Sequence, residues 1–116
     1  MREVRAKLQR GMELFNTGAY FEAHEAWEEV WIECGRGERY FVQGLIHCAA
    51  AWHHARRDNF EGAARQAEKG VRKLAGYLPR RHGVDTGRLY QEAQEWLEAW
   101  RQGRMPAGRA TIGVTE

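Results

Sequence analysis

Residues 20–31 read Tyr20-Phe21-Glu22-Ala23-His24-Glu25-Ala26-Trp27-Glu28-Glu29-Val30-Trp31. Wound as a helix, this segment brings His24, Glu28 and Trp31 within about 60° of one another, with Tyr20 and Trp27 on the flanks. Two ionisable groups thus stand inside an aromatic stripe. Glu22, Glu25, Glu29 and Glu33 gather on the other side, where a solvated helix keeps its charge. A carboxylate buried without a partner is costly. Glu28 is therefore expected either to reach water or to be paired by His24, by a donor on another helix, or by a metal.

The same period extends in both directions. Upstream, Val4, Leu8, Met12 and Phe15 recur at fours and threes, which predicts a first helix from Arg2 to Phe15, stopped at Asn16-Thr17-Gly18. The second helix covers Tyr20 to Glu33 and ends at Gly35-Arg36-Gly37. A third is predicted from Glu38 to Arg57, with Phe41, Val42, Leu45, Cys48, Ala49 and Trp52 on one broad apolar side, so it belongs at the centre. Its other side interleaves small and polar residues: Tyr40, Gln43, Gly44, His47, Ala51, His54. Small residues let a neighbouring helix come close, and Gln43 and His47 would then meet that neighbour's side chains. Asp58-Asn59 reads as a turn and cap to a fourth helix, Phe60 to Tyr77, burying Phe60, Ala63, Ala67, Val71, Leu74 and Leu78. Pro79 ends it. Asp85 or Thr86 then caps a fifth helix, through Gln102, whose buried stripe is Leu89, Ala93, Trp96, Leu97 and Trp100.

The class is therefore all-α: one compact domain over residues 1–102, a bundle of five helices made of two antiparallel hairpins plus a closing helix. Residues 103–116, where Gly, Pro and Thr replace the periodic pattern, are expected to be a flexible or draped tail. One internal echo supports the hairpins. Gly18-Ala19-Tyr20-Phe21-Glu22-Ala23 and Asp58-Asn59-Phe60-Glu61-Gly62-Ala63 align at an offset of 40 residues. A turn, an aromatic and an alanine three positions later resemble the local grammar of tetratricopeptide repeats. The offset exceeds their usual period, and two units do not make a solenoid.

Composition excludes several functions. The chain has 116 residues and no serine, so a serine nucleophile is ruled out. No run of about 18 apolar residues exists, because Gln43 and His47 interrupt the most apolar stretch, and no membrane span is expected. The first ten residues carry Arg2, Arg5, Lys7 and Arg10 and do not read as a signal peptide, which leaves a cytoplasmic location as the expectation. Cys34 and Cys48 lie in apolar contexts and read as reduced core thiols. A net charge of +2 is too small to point to a nucleic acid partner by itself. Arg56-Arg57, Arg72-Lys73, Arg80-Arg81-His82 and Arg88 gather at the ends of helix four, but without interleaved exposed aromatics they read as a solvated face.

His24 and Glu28 form the strongest chemical candidate. At i, i+4 an imidazole nitrogen and a carboxylate oxygen can converge on one Zn, Fe, Mn or Ni ion. Two ligands do not complete a site, and His47, with His54 one turn further along the third helix, is the natural donor of another; Gln43 could orient a ligand or a water. The plainer reading is a His24–Glu28 hydrogen bond that fixes helix packing without metal. Trp27 and Trp31 read first as core, and Trp31 would also close the site from water. His53 points about 100° from His54 and is expected in solvent.

The string from Tyr20 to Trp31, followed by Gln43-Gly44-Leu45-Ile46-His47 and by Asn59 with Gly62-Ala63, resembles the prokaryotic family known as domain of unknown function 309. The likeness runs from about Phe15 to Leu74. That family is marked by a His-x-x-x-Glu-x-x-aromatic motif, met here by His24, Glu28 and Trp31. The resemblance implies the helical fold, and metal binding has been suggested for the motif. Family members often carry Gln where this chain has His47.

Two functions follow as expectations. In the first, a polar pocket between helices two and three holds a divalent metal through His24, Glu28 and His47, with Tyr20, Trp27, Trp31, Gln43 and His54 around it. If it is catalytic, metal-assisted hydrolysis is the least strained reaction, with Glu28 or a bound water taking the proton. In the second, the chain is a non-enzymatic interaction module that shows a groove to a partner helix, or to a second copy in a homodimer, and His24 and Glu28 merely lock the core.

Overall fold

Trp27 fits into the interior because residue 11 is glycine. A Cβ at Gly11 would lie 2.2 Å from Trp27 Nε1, so the indole lies directly on the backbone of the first helix and donates to Leu8 O at 3.0 Å. The computed structural model describes residues 2–108 and 110–114. It comprises α1 (Arg2–Asn16), α2 (Tyr20–Glu33), α3 (Arg39–Arg56), α4 (Phe60–Leu74) and α5 (Thr86–Arg101). The expected third helix begins one residue late, after a 3-10 turn at Arg36–Glu38. The fourth leaves α geometry at Leu74 and finishes as a 3-10 turn, Ala75–Tyr77. Beyond it the chain is extended at Leu78, so the heptad no longer carries that side chain inward, and Leu78 is exposed rather than buried.

The two hairpins share one turn. Gly18 and Asp58 both adopt positive φ, and the following amides reach back to the preceding helix, Ala19 N to Leu14 O at 2.8 Å and Asn59 N to His54 O at 2.9 Å. These bonds satisfy carbonyls left open at a helix end, and the left-handed residue that permits them is glycine in one hairpin and the tolerant aspartate in the other. The echo at an offset of 40 is thus a repeated helix terminator. Asn59 and Asp85 then cap α4 and α5 by accepting from Gly62 N and Arg88 N, each at 3.0 Å.

Helix α3 lies between α2 and α4, with α1 packed on α2 and α5 on α4. Aromatic rings join the remaining helices: Phe15 of α1 lies 6.3 Å from Trp96 of α5, and Trp52 of α3 lies 5.5 Å from Trp96 and 5.1 Å from Trp100. Each such buried ring removes a large apolar area from water, and its truncation in a core typically costs about 3–5 kcal/mol. Past α5, Ala110 and Ile112 are buried. Asn16 holds that segment with both ends of its amide, donating to Ile112 O at 3.1 Å and accepting from Ile112 N at 2.7 Å. Among the described residues no helix is long and apolar enough to cross a membrane.

Candidate functional site

Gly44 and Gly70 set the geometry of the polar seam. A Cβ on Gly70 would stand 3.2 Å from Gly44 O and 3.3 Å from Cys48 Sγ, so α3 and α4 cross with their backbones nearly touching. The crossing places the flanking polar residues in register. On one side Lys73 Nζ donates to Gln43 Oε1 at 2.8 Å; on the other, His47 Nδ1 lies 2.7 Å from Gln66 Oε1. The small-residue stripe of α3 therefore does admit a neighbour that meets Gln43 and His47, and that neighbour is α4. This polar seam runs along α3 with α4 as its wall, while α2 packs on α3 as well.

Gln66 Oε1 accepts only, so His47 carries its proton on Nδ1 and keeps the lone pair on Nε2. Burial pushes the His47 pKa below its ordinary value, partly opposed by the Gln66 bond and reinforced by Lys73, Lys69 and His24. The ring is therefore neutral at physiological pH.

On α2 the buried sector is Tyr20, Ala23, Trp27 and Val30. Glu28 lies one residue past its centre and does not enter the aromatic stripe: its side chain is 53% exposed, so of the expected alternatives it reaches water. His24 Nδ1 is 3.5 Å from Glu28 Oε1, too long for a hydrogen bond, and that nitrogen is buried with no hydrogen-bond partner. The pair is thus a loose ion contact at the rim and not a core lock. Tyr20 stacks on Trp52 in the core, 5.6 Å between ring centroids, away from the seam. Trp27 is wholly buried. Trp31 is half-buried, with the Arg39 guanidinium 4.6 Å over its ring and its Nε1 buried without a partner.

His54, expected along the His47 stripe, accepts instead from Asn59 Nδ2 at 3.2 Å, so its Nδ1 lone pair is occupied by the α4 cap. His53 is half-buried, not solvated, its ring 5.4 Å from that of Phe21. Among the described residues no three His, Cys, Asp or Glu side chains already stand close enough together to hold a metal ion. The donors are of suitable type, two imidazole nitrogens and a carboxylate, but they have not converged. Sequence reasoning missed Gln66, the α4 group that bonds His47. The only hint was its heptad position opposite the small stripe of α3.

The fold and this seam define a class: short helical hairpins, joined by a repeated turn, with a row of polar side chains where three helices meet. The particular family is the one described as Domain of unknown function (DUF309), whose sequence model matches residues 8–66, and the chain belongs to it. The chain is also similar to an uncharacterized protein of Aquifex aeolicus (strain VF5), 26% identical over 110 residues. That alignment covers 94% of this chain and 33% of the relative, so the chain spans about a third of its relative's length.

Proposed function

We propose that the α2–α3–α4 seam binds a divalent transition metal, with His24 of α2 and His47 of α3 as nitrogen donors and Glu28 of α2 as the oxygen donor. The observation that carries this reading is His47. Its Nδ1–H is held by Gln66, the orientation that second-shell acceptors give to metal-ligating imidazoles, which leaves a neutral ring with Nε2 free to bind. His24 supports it with a buried Nδ1 that makes no hydrogen bond, and Glu28 with a side chain free to turn. Zn, Fe, Mn and Ni all suit two imidazoles and a carboxylate. Because the donors must rotate to meet, affinity is expected to be modest. Calorimetric titration of untagged protein with Zn(II) and Ni(II), beside elemental analysis, tests it. One equivalent that is lost in His24→Ala, with the helical signal unchanged, is the expected result; no uptake, or uptake indifferent to His24, removes the metal from the account.

A second reading has its own support. Phe21 and Ile32 are exposed on α2 eleven residues apart, hence on nearly one line of the helix, and Tyr40 is exposed at the start of α3. Large apolar side chains left in solvent near one another mark contact surfaces. In this reading the domain is a non-enzymatic interaction module, and Phe21→Ser with Ile32→Ser abolishes an association seen by light scattering while leaving metal uptake unchanged.

A further inference from the structure

The end of the bundle formed by the start of α1, the start of α3 and the α4–α5 loop holds a partly open cavity of about 260 Å3. Val4, Leu8, Phe41 and Val42 make its apolar walls, and Arg5, Cys34, Glu38 and His82 supply its polar atoms. None of these belongs to the seam. A second cavity of about 270 Å3 adjoins it and shares Arg5, Leu8 and His82, so those side chains stand at the junction.

The polar side of the junction is built by a turn. His82 and Gly83 both have positive φ, 48° and 79°, between Arg81 and Val84, which exchange backbone hydrogen bonds at 3.1 and 2.9 Å. This is the pattern of a two-residue type I′ hairpin, and it turns the imidazole of His82 onto the ring of Phe41, 5.9 Å away. Histidine tolerates this left-handed backbone better than most residues. Glu38 is held on both sides: Arg81 donates to each of its carboxylate oxygens, and His82 Nε2 stands 2.9 Å from Oε2 without completing a hydrogen bond. With Glu38 neutralised in this way, the charge left over at the junction is the guanidinium of Arg5, which has no ion-pair partner among the described residues.

We propose that this cavity binds a small organic anion, a monocarboxylate on an apolar chain or ring, with its carboxylate on Arg5 beside His82 and its apolar part between Leu8, Phe41 and Val42. The volume lies just under the roughly 300–1,000 Å3 of drug-sized sites, which limits the occupant to a small molecule. Guanidinium matches a carboxylate through two parallel N–H bonds. A single guanidinium without an ion-pair partner matches one negative charge rather than two, which favours a monocarboxylate over a phosphate dianion.

Cys34 lines the cavity and reports its occupancy. Cys48 is wholly buried with its pKa pushed up to about 12, so Cys34 is the thiol an aromatic disulfide reagent reaches. Burial also raises Cys34, so labelling is run under alkaline conditions. Octanoate, octanol and octylamine serve as probes of equal chain length. Octanoate is expected to slow labelling of Cys34 at concentrations about tenfold lower than octanol, with octylamine without effect. In Arg5→Ala, a change at an exposed position, octanoate and octanol are expected to protect alike. Equal protection by all three in the unaltered protein, protection by none, or an octanoate advantage that survives Arg5→Ala would overturn the proposal.

Discussion

Nδ1 of His47 and Oε1 of Gln66 stand 2.7 Å apart, a hydrogen bond between the third and fourth helices that fixes which nitrogen of the imidazole holds its proton. Burial lowers the His47 pKa and this bond raises it. Gln66→Ala is therefore expected to lower it further, in an NMR titration of the ring protons. The linkage sign follows. The unfolded chain, with imidazoles near ~6.5, takes up protons before the folded His47 does, so its contribution to stability is complete above that value and is lost as pH falls below it. His54, also lowered by burial, acts in the same sense. Urea midpoints should drop from pH 7 to pH 5, and His47→Gln should flatten part of that slope. A midpoint that rises toward pH 5 would contradict this assignment.

Gly11 and Gly70 are among the glycines that carry close approaches, and both should resist a methyl group. Gly11→Ala drives a carbon into the fully buried Trp27 ring, and Gly70→Ala presses on Gly44 O and Cys48 Sγ. Overpacking of this kind costs about 1–3 kcal/mol, more where the neighbour cannot move, which points to Gly11→Ala as the larger loss. Gly35→Ala meets nothing within 4 Å and should leave stability unchanged or slightly raised. Thermal denaturation of the three variants checks the order. Equal behaviour of Gly11→Ala and Gly35→Ala would mean that α1 and α2 do not pack through this contact.

Much of the fold was legible because the apolar period is regular. The α2 boundaries, the Asn59 and Asp85 caps and the central position of α3 follow from spacing alone. The site was less so. A helical wheel gives the angle between side chains but not which sector faces the neighbours, and here the buried sector of α2 is centred on Ala23 and Trp27, leaving Glu28 at its edge. The small stripe of α3 announced a close neighbour without saying that it would be α4. The contacts of Glu38 with Arg81 and His82 span 43 and 44 residues across a loop, and no local pattern encodes them. One member of the basic group at the ends of α4 has an aromatic neighbour, the exposed Tyr40, whose ring lies 4.9 Å from Lys73 Nζ.

Glu38 provides an acid-side test. The hydrogen bond from Arg81, followed by the contact with His82, holds its carboxyl below the ordinary carboxylate value against the opposing effect of burial. Its stabilising contribution is present above the unfolded value near ~4.3 and is lost as pH falls through the lower folded value. Glu38→Gln should be less stable than the unaltered protein at neutral pH, and the two should converge in acid. Parallel curves from pH 7 to pH 3 would show that the pair with Arg81 carries no net stability.

The seam itself is tested most directly by long-range 1H–15N spectra of the imidazoles during titration of the untagged protein with Zn(II). Without metal, His47 is expected as the Nδ1–H tautomer with a bare Nε2. As Zn(II) is added, the His47 Nε2 and one His24 nitrogen should shift together and stop at one equivalent, while His54 Nδ1 keeps its hydrogen bond to Asn59. Shifts confined to His53 and His54, or rings of His24 and His47 that respond to no concentration of metal, would contradict the account.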